Sequence, residues 1–156
     1  MTDEEFMRLA IEKTRQGIEQ GQNPFGACVV NDGQVVSLEH GQVWALTDIT
    51  AHAEVTAIRA ACKTQNTVDL SGCVLYSTCA PCPMCFTACH WAKIDRVVYG
   101  ALVEDATAIG FSELSLTPEQ MAQLGGSPVQ VAGNVLGDEC RELFTIWKAR
   151  PGSVTF

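Results

Sequence analysis

Residues 73–100 read CVLYSTCAPCPMCFTACHWAKIDRVVYG. Cys73 to Tyr76 predicts a buried strand, and residues 82–92 predict an apolar helix opening after Pro81. Arg96 to Gly100 predicts a second strand. A strand, a helix and a strand in that order imply a crossover, since parallel strands cannot be joined by a tight turn. Downstream, Val129 to Val131 is a third strand candidate and Asp138 to Arg150 a C-terminal helix. Upstream, Val55, Ile58, Ala61 and Cys62 give helical spacing over 52–64. Phe25 to Val30 and Val35 to Leu38 flank Asn31-Asp32-Gly33-Gln34, a hairpin signal. Residues 3–20 carry Phe6, Leu9, Ala10, Thr14 and Ile18 on one face, with a break at Lys13, and stop near Gly21. An antiparallel hairpin followed by crossovers predicts an α/β fold. Its expected architecture is a three-layer α/β/α sandwich around a mixed five-stranded sheet.

The chain has 156 residues, a length that suits one domain spanning 1–156. Hydrophobic residues make up 47% and charged residues 18%, which excludes a disordered tail or a coiled coil. The net charge is −8, and neither half is basic: 5 basic against 10 acidic side chains over 1–78, then 5 against 8. Nucleic-acid affinity rests on phosphate contacts, so a nucleic-acid partner is disfavoured and a small substrate expected. No apolar run approaches the roughly 18 residues of a membrane span. The start, Met1-Thr2-Asp3-Glu4-Glu5, is acidic and does not resemble a signal peptide. The expected location is cytoplasmic, where the 8 cysteines serve as thiols or metal ligands rather than disulfides.

Two short stretches carry the chemistry: Thr50-Ala51-His52-Ala53-Glu54 and Pro81-Cys82-Pro83-Met84-Cys85. Cysteines three apart at a helix start share one face, and the helix dipole favours their thiolates. Cys82, Cys85 and His52 make three ligands for one Zn2+. A catalytic zinc site leaves its fourth position to water, whereas a structural site closes it with a side chain. Glu54, two residues past His52, is the expected proton carrier. The alternative is a closed zinc knuckle with Cys79 or Cys89 as fourth ligand, which leaves His52 and Glu54 without a purpose. Cys28, Cys62, Cys73 and Cys140 are read as core residues.

The order H-x-E followed by P-C-x-x-C is the signature of zinc nucleobase deaminases. The chain resembles the cytidine deaminase superfamily, and within it the bacterial guanine deaminase and plant guanosine deaminase branch. The resemblance rests on Pro24-Phe25-Gly26-Ala27, on Thr50 through Arg59, on Cys79 through Phe86, and on Ala108-Ile109-Gly110-Phe111-Ser112-Glu113. It implies a cytidine deaminase-like fold and one zinc per subunit. Its implied activity is hydrolysis of a free purine base, guanine giving xanthine and ammonia. Glu113 matches a second proton-handling carboxylate, and Phe25 and Ala53 match substrate-contact positions, although Phe25 also suits a strand core. Phe156 matches an aromatic that closes the site. In this branch the C-terminal segment can be exchanged between the subunits of a homodimer. Two positions depart from the pattern. Gly41 stands where the family carries an Asn that holds the base, eleven residues before His52, with Gln42 as the expected substitute. Ala80 stands where many members carry Glu.

Alternative substrates are cytosine, guanosine or a related amino-heterocycle. A tRNA adenosine deaminase shares the zinc motif but must grip RNA, and a non-catalytic zinc scaffold would need to have lost Glu54. Trp44, Phe86, Trp91 and Trp147 are candidates for either an interface or the core.

Overall fold

A computed structural model describes residues 1–156. The chain begins with α1 (Asp3–Glu19), followed by the hairpin β1 (Gly26–Asn31) and β2 (Gln34–His40). Next come the single turn α2 (Val43–Leu46), then α3 (Ala53–Gln65), β3 (Cys73–Cys79) and α4 (Pro83–Trp91). The remainder is β4 (Arg96–Ala101), α5 (Val103–Ala108), α6 (Pro118–Gly125), β5 (Gln130–Ala132) and α7 (Gly137–Lys148). One sheet of five strands runs in the order β2-β1-β3-β4-β5. The β1 strand is antiparallel to both β2 and β3, while β3, β4 and β5 run parallel. The expected mixed sheet between helical layers is therefore the observed fold.

Alternation along the strands builds both cores. Cys28, Val30, Tyr76 and Val98 face α1 and α7. Ala27, Val29, Leu75 and Val97 face α3 and α4. Local chemistry fixes the element ends. Thr2 and Glu5 form a reciprocal capping box at the start of α1. The hairpin turns on Asp32 and Gly33, both at positive φ, as a tight two-residue connection requires. Pro83 opens α4 at a position where its missing N–H costs nothing.

Two contacts lock α1 onto the sheet. Arg96 grips Asp3 in a bidentate pair at 3.0 and 2.7 Å, and the Tyr76 hydroxyl donates to Asp3 at 2.8 Å. At Gly26 the helix comes so close that an added Cβ would collide with Thr14 Oγ1 and with the Ala10 carbonyl 2.8 Å away. Gly26 is thus the only residue type that fits this approach.

Phe86 and Trp147 are core residues, whereas Trp91 and Trp44 are exposed. Cys28, Cys73 and Cys140 are buried and Cys62 half-buried, all as free thiols. The three short helices α2, α5 and α6 were not expected from the sequence. No helix is long and apolar enough to cross a membrane.

Candidate active site

The site lies where β3 ends, at the carboxyl edge of the parallel strands, the usual place for a ligand in such sheets. His52 is the N-cap of α3 and Cys82 the N-cap of α4, and neither side chain caps its own helix. The loop before His52 is held by Asp48, which accepts from Thr50 N at 2.9 Å and Thr50 Oγ1 at 2.6 Å. Cys85 lies in the first turn of α4 and is buried.

His52 Nδ1 is 3.7 Å from Cys82 Sγ and 3.5 Å from Cys85 Sγ. All three donor atoms lie within 4.8 Å of one another. A tetrahedral ion with Zn–N of about 2.0–2.1 Å and Zn–S of about 2.3 Å puts nitrogen and sulfur about 3.6 Å apart. The donor set fits one zinc. It comprises three side chains and no fourth. Cys79 donates instead to the Leu102 carbonyl at 3.7 Å, and Cys89 is buried in the core beneath α4, so the closed knuckle is not formed.

The electrostatics suit a cation. Cys82 is pulled down to about 4, first by the hydrogen bond from Cys85, against burial, and further by His52. Cys85 is pushed up by sharing that hydrogen bond and by burial. Burial works to lower the His52 value, but the bond to Cys82 and the negative charges of Glu54, Cys82 and Glu113 outweigh it and leave it raised.

Glu54 sits in the first turn of α3, 6% exposed, and Ser77 Oγ donates to its Oε1 at 3.1 Å. Its pKa is raised by burial and by the Cys82 charge, with His52 opposing. Glu113 lines the same pocket and is pushed up to about 7 by burial, then by Cys82 and Glu54. Two carboxyl groups with raised pKa values therefore face the metal-binding group.

Phe25, Ala53 and Phe156 line this pocket with Glu54 and Glu113. Phe25 also packs edge-on against Phe111 at 4.9 Å. The Phe156 ring lies over His52 at 5.3 Å and 32°, and its carbonyl accepts from Ser112 N at 3.2 Å. The terminal segment thus folds over the site of its own chain. Gln42 does not line the pocket; its amide lies 3.5 Å from His40 Nδ1. Sequence reasoning passed over Asn23 and Ser77. Ser77 follows from strand alternation, since it shares the α3-facing side of β3 with Leu75. Nothing local in the sequence marks Asn23. The pocket measures about 30 Å3 and opens beside a vestibule of about 310 Å3 over Ile49, Met84 and Leu114.

Residues 1–101 match the family model of the cytidine and deoxycytidylate deaminase zinc-binding region. A guanine deaminase of Bacillus subtilis is 42% identical over 114 residues, 72% of this chain and 73% of that protein. A tRNA-specific adenosine deaminase of Aquifex aeolicus is 41% identical over 102 residues, 65% of this chain and 68% of that protein. The structure of a Nitrosomonas europaea guanine deaminase superposes with a TM-score of 0.87 at 28% identity, covering 94% of this chain and 85% of that one.

Proposed function

The chain belongs to the cytidine and deoxycytidylate deaminase zinc-binding family, and on that footing we propose that it removes the amino group of guanine by hydrolysis, releasing xanthine and ammonia. The observation that carries the reading is the pairing of Glu54 with Glu113 in one pocket beside the His52, Cys82 and Cys85 donors. His52, Cys82 and Cys85 would hold one zinc, which would lower the pKa of water there from 15.7 towards about 7.

Glu54 takes the proton of the attacking water and hands it to the ring nitrogen beside C2. Ser77 donates to Oε1 and fixes the orientation of the carboxyl group for that exchange. The hydroxyl oxygen adds to C2, the departing nitrogen takes a proton from a carboxyl group as the C2–N bond breaks, and that carboxylate recovers a proton from the C2 hydroxyl as the carbonyl forms. Glu113, poised at about 7, is suited to give it. Phe25, Ala53 and Phe156 form apolar walls for the flat ring.

A free base suits the net charge of −8 better than tRNA does. Ile49, Met84 and Leu114 are exposed around the vestibule, a surface suited to a second copy in a homodimer. Eight free thiols suit a cytoplasmic setting. The test is an ammonia-release panel of guanine, guanosine, cytosine and adenine, with a tRNA substrate alongside. Turnover of guanine ahead of the others is expected. Conversion of tRNA adenosine with inert guanine would overturn the reading.

A further inference from the structure

Asn23 is 4% exposed, and its Oδ1 is buried with no hydrogen-bond partner. Its amide orientation is not arbitrary. Nδ2 donates to the Val154 carbonyl at 2.9 Å, and a carbonyl can only accept, so Oδ1 is the free end. The backbone here is stiff. Asn23 precedes Pro24, which restricts its φ and ψ, and its carbonyl accepts from Phe25 N at 2.9 Å.

Asn23 lines the active-site pocket together with Gly41. A Cβ on Gly41 would meet only the Ala51 carbonyl and Ala53 N, each 3.8 Å away, so space remains open there. No side chain of this pocket is bonded to Oδ1: Phe25, Val43, Ala53 and Ala80 are apolar, the Cys79 thiol is engaged with Leu102, and His52, Cys82, Glu54 and Glu113 make no hydrogen bond to it. A buried acceptor left unpaired is costly, and a rigid one beside a ligand pocket is a recognition element in waiting.

We infer that Asn23 is a specificity-determining residue whose Oδ1 accepts a ring N–H of the substrate base. This rests on the purine-deaminase reading above. Guanine carries two such donors, N1–H and the N–H of its five-membered ring. The same amide ties Val154, so base recognition and seating of the terminal segment pass through one side chain.

The test uses zinc-loaded wild-type protein and the variants Asn23→Ala and Asn23→Asp. Guanine is the substrate, and 1-, 7- and 9-methylguanine are competitive inhibitors. Asn23→Ala is expected to lower kcat/KM for guanine about tenfold or more, through KM, with zinc content unchanged. The base methylated at the contacted nitrogen should bind Asn23→Ala at least as well as wild type, while the others weaken like guanine. Asn23→Asp keeps an oxygen at this position and gives up the donor to Val154, so it should retain the wild-type ranking of the methylated bases. A guanine kcat/KM within twofold of wild type in Asn23→Ala would overturn the assignment alone. So would an equal loss on all four bases, reproduced by Asn23→Asp, since that is the signature of a loosened tail. Wild-type protein that released no ammonia from guanine would overturn this inference together with the reading beneath it.

Discussion

Ser77 Oγ donates to Glu54 Oε1 at 3.1 Å, joining the sheet to the first turn of α3 at a carboxylate beside the metal-binding group. Both residues are buried. A hydroxyl from a strand is a stiff anchor, and it fixes the orientation of the carboxyl group. Replacing Glu54 by Ala should leave a folded protein with one zinc and cut kcat about 10²- to 10⁴-fold. Ser77→Ala should cost about tenfold in kcat, as expected for a lost hydrogen bond to a charged group. Steady-state ammonia release with zinc analysis reads both, and full activity in Glu54→Ala would contradict the assignment.

Phe156 packs on His52 at 5.3 Å and edge-on against Phe111 at 5.2 Å. Phe156→Ala removes an apolar wall and its contact with the His52 ring while leaving all three metal donors in the chain. KM for guanine should rise about 2- to 10-fold, the range of one aromatic contact, with kcat little changed. A fall in kcat at constant KM would show that the ring serves the chemistry instead.

Asp3 is held below the ordinary aspartate value, first by the Arg96 hydrogen bond, with burial opposing and Tyr76 and the Arg96 charge assisting. The folded state therefore binds fewer protons here than the unfolded chain, whose aspartate titrates near about 3.9. The stabilisation is present above that pH and is lost as pH falls through the lower folded value. Both partners are about one-third exposed, at 33% and 35%, so screening limits the effect. Asp3→Asn should cost about 1 kcal/mol at pH 7. Denaturant titrations at several pH values should show wild type and Asp3→Asn converging as the pH falls below the ordinary aspartate value. A gap that widened on acidification would rule out this account.

Gly26→Ala should be destabilising by about 1–3 kcal/mol, because the new methyl group meets Thr14 Oγ1 and the Ala10 carbonyl, and the helix must back away. Since Phe25 is the neighbouring residue and lines the pocket, KM should rise as well. Thermal unfolding together with kinetics tests the pair of effects, and an unchanged melting temperature would mean that α1 yields freely.

Long periodic segments were legible in the sequence. The strands at 73 and 96, the hairpin at Asp32-Gly33 and the helices over 3–20, 52–64 and 138–150 all formed near their expected bounds. The helices α2, α5 and α6 were not, because 4, 6 and 8 residues hold too few turns to display a period. The cap of α5 also comes from Asp105 reaching back to Leu102 N, a bond with no strong sequence signature. His52, Cys82 and Cys85 converge as their spacing implied. Gln42 illustrates the limit of reading by proximity in sequence: it neighbours Gly41, yet its amide turns to His40 instead. Asn23 and Val154 meet across 131 residues, a relation that only the folded chain reveals.

His52 and Cys82 begin their helices while withholding the side-chain bonds that N-caps ordinarily supply. Their side chains turn to each other instead, so the first turns of α3 and α4 are joined through the ion that these side chains would hold. Chelation should therefore be felt as fraying. Amide exchange near Ala53 and Met84 would quicken well before the sheet loosens, and a starved enzyme would lose its shape at the very point where it works.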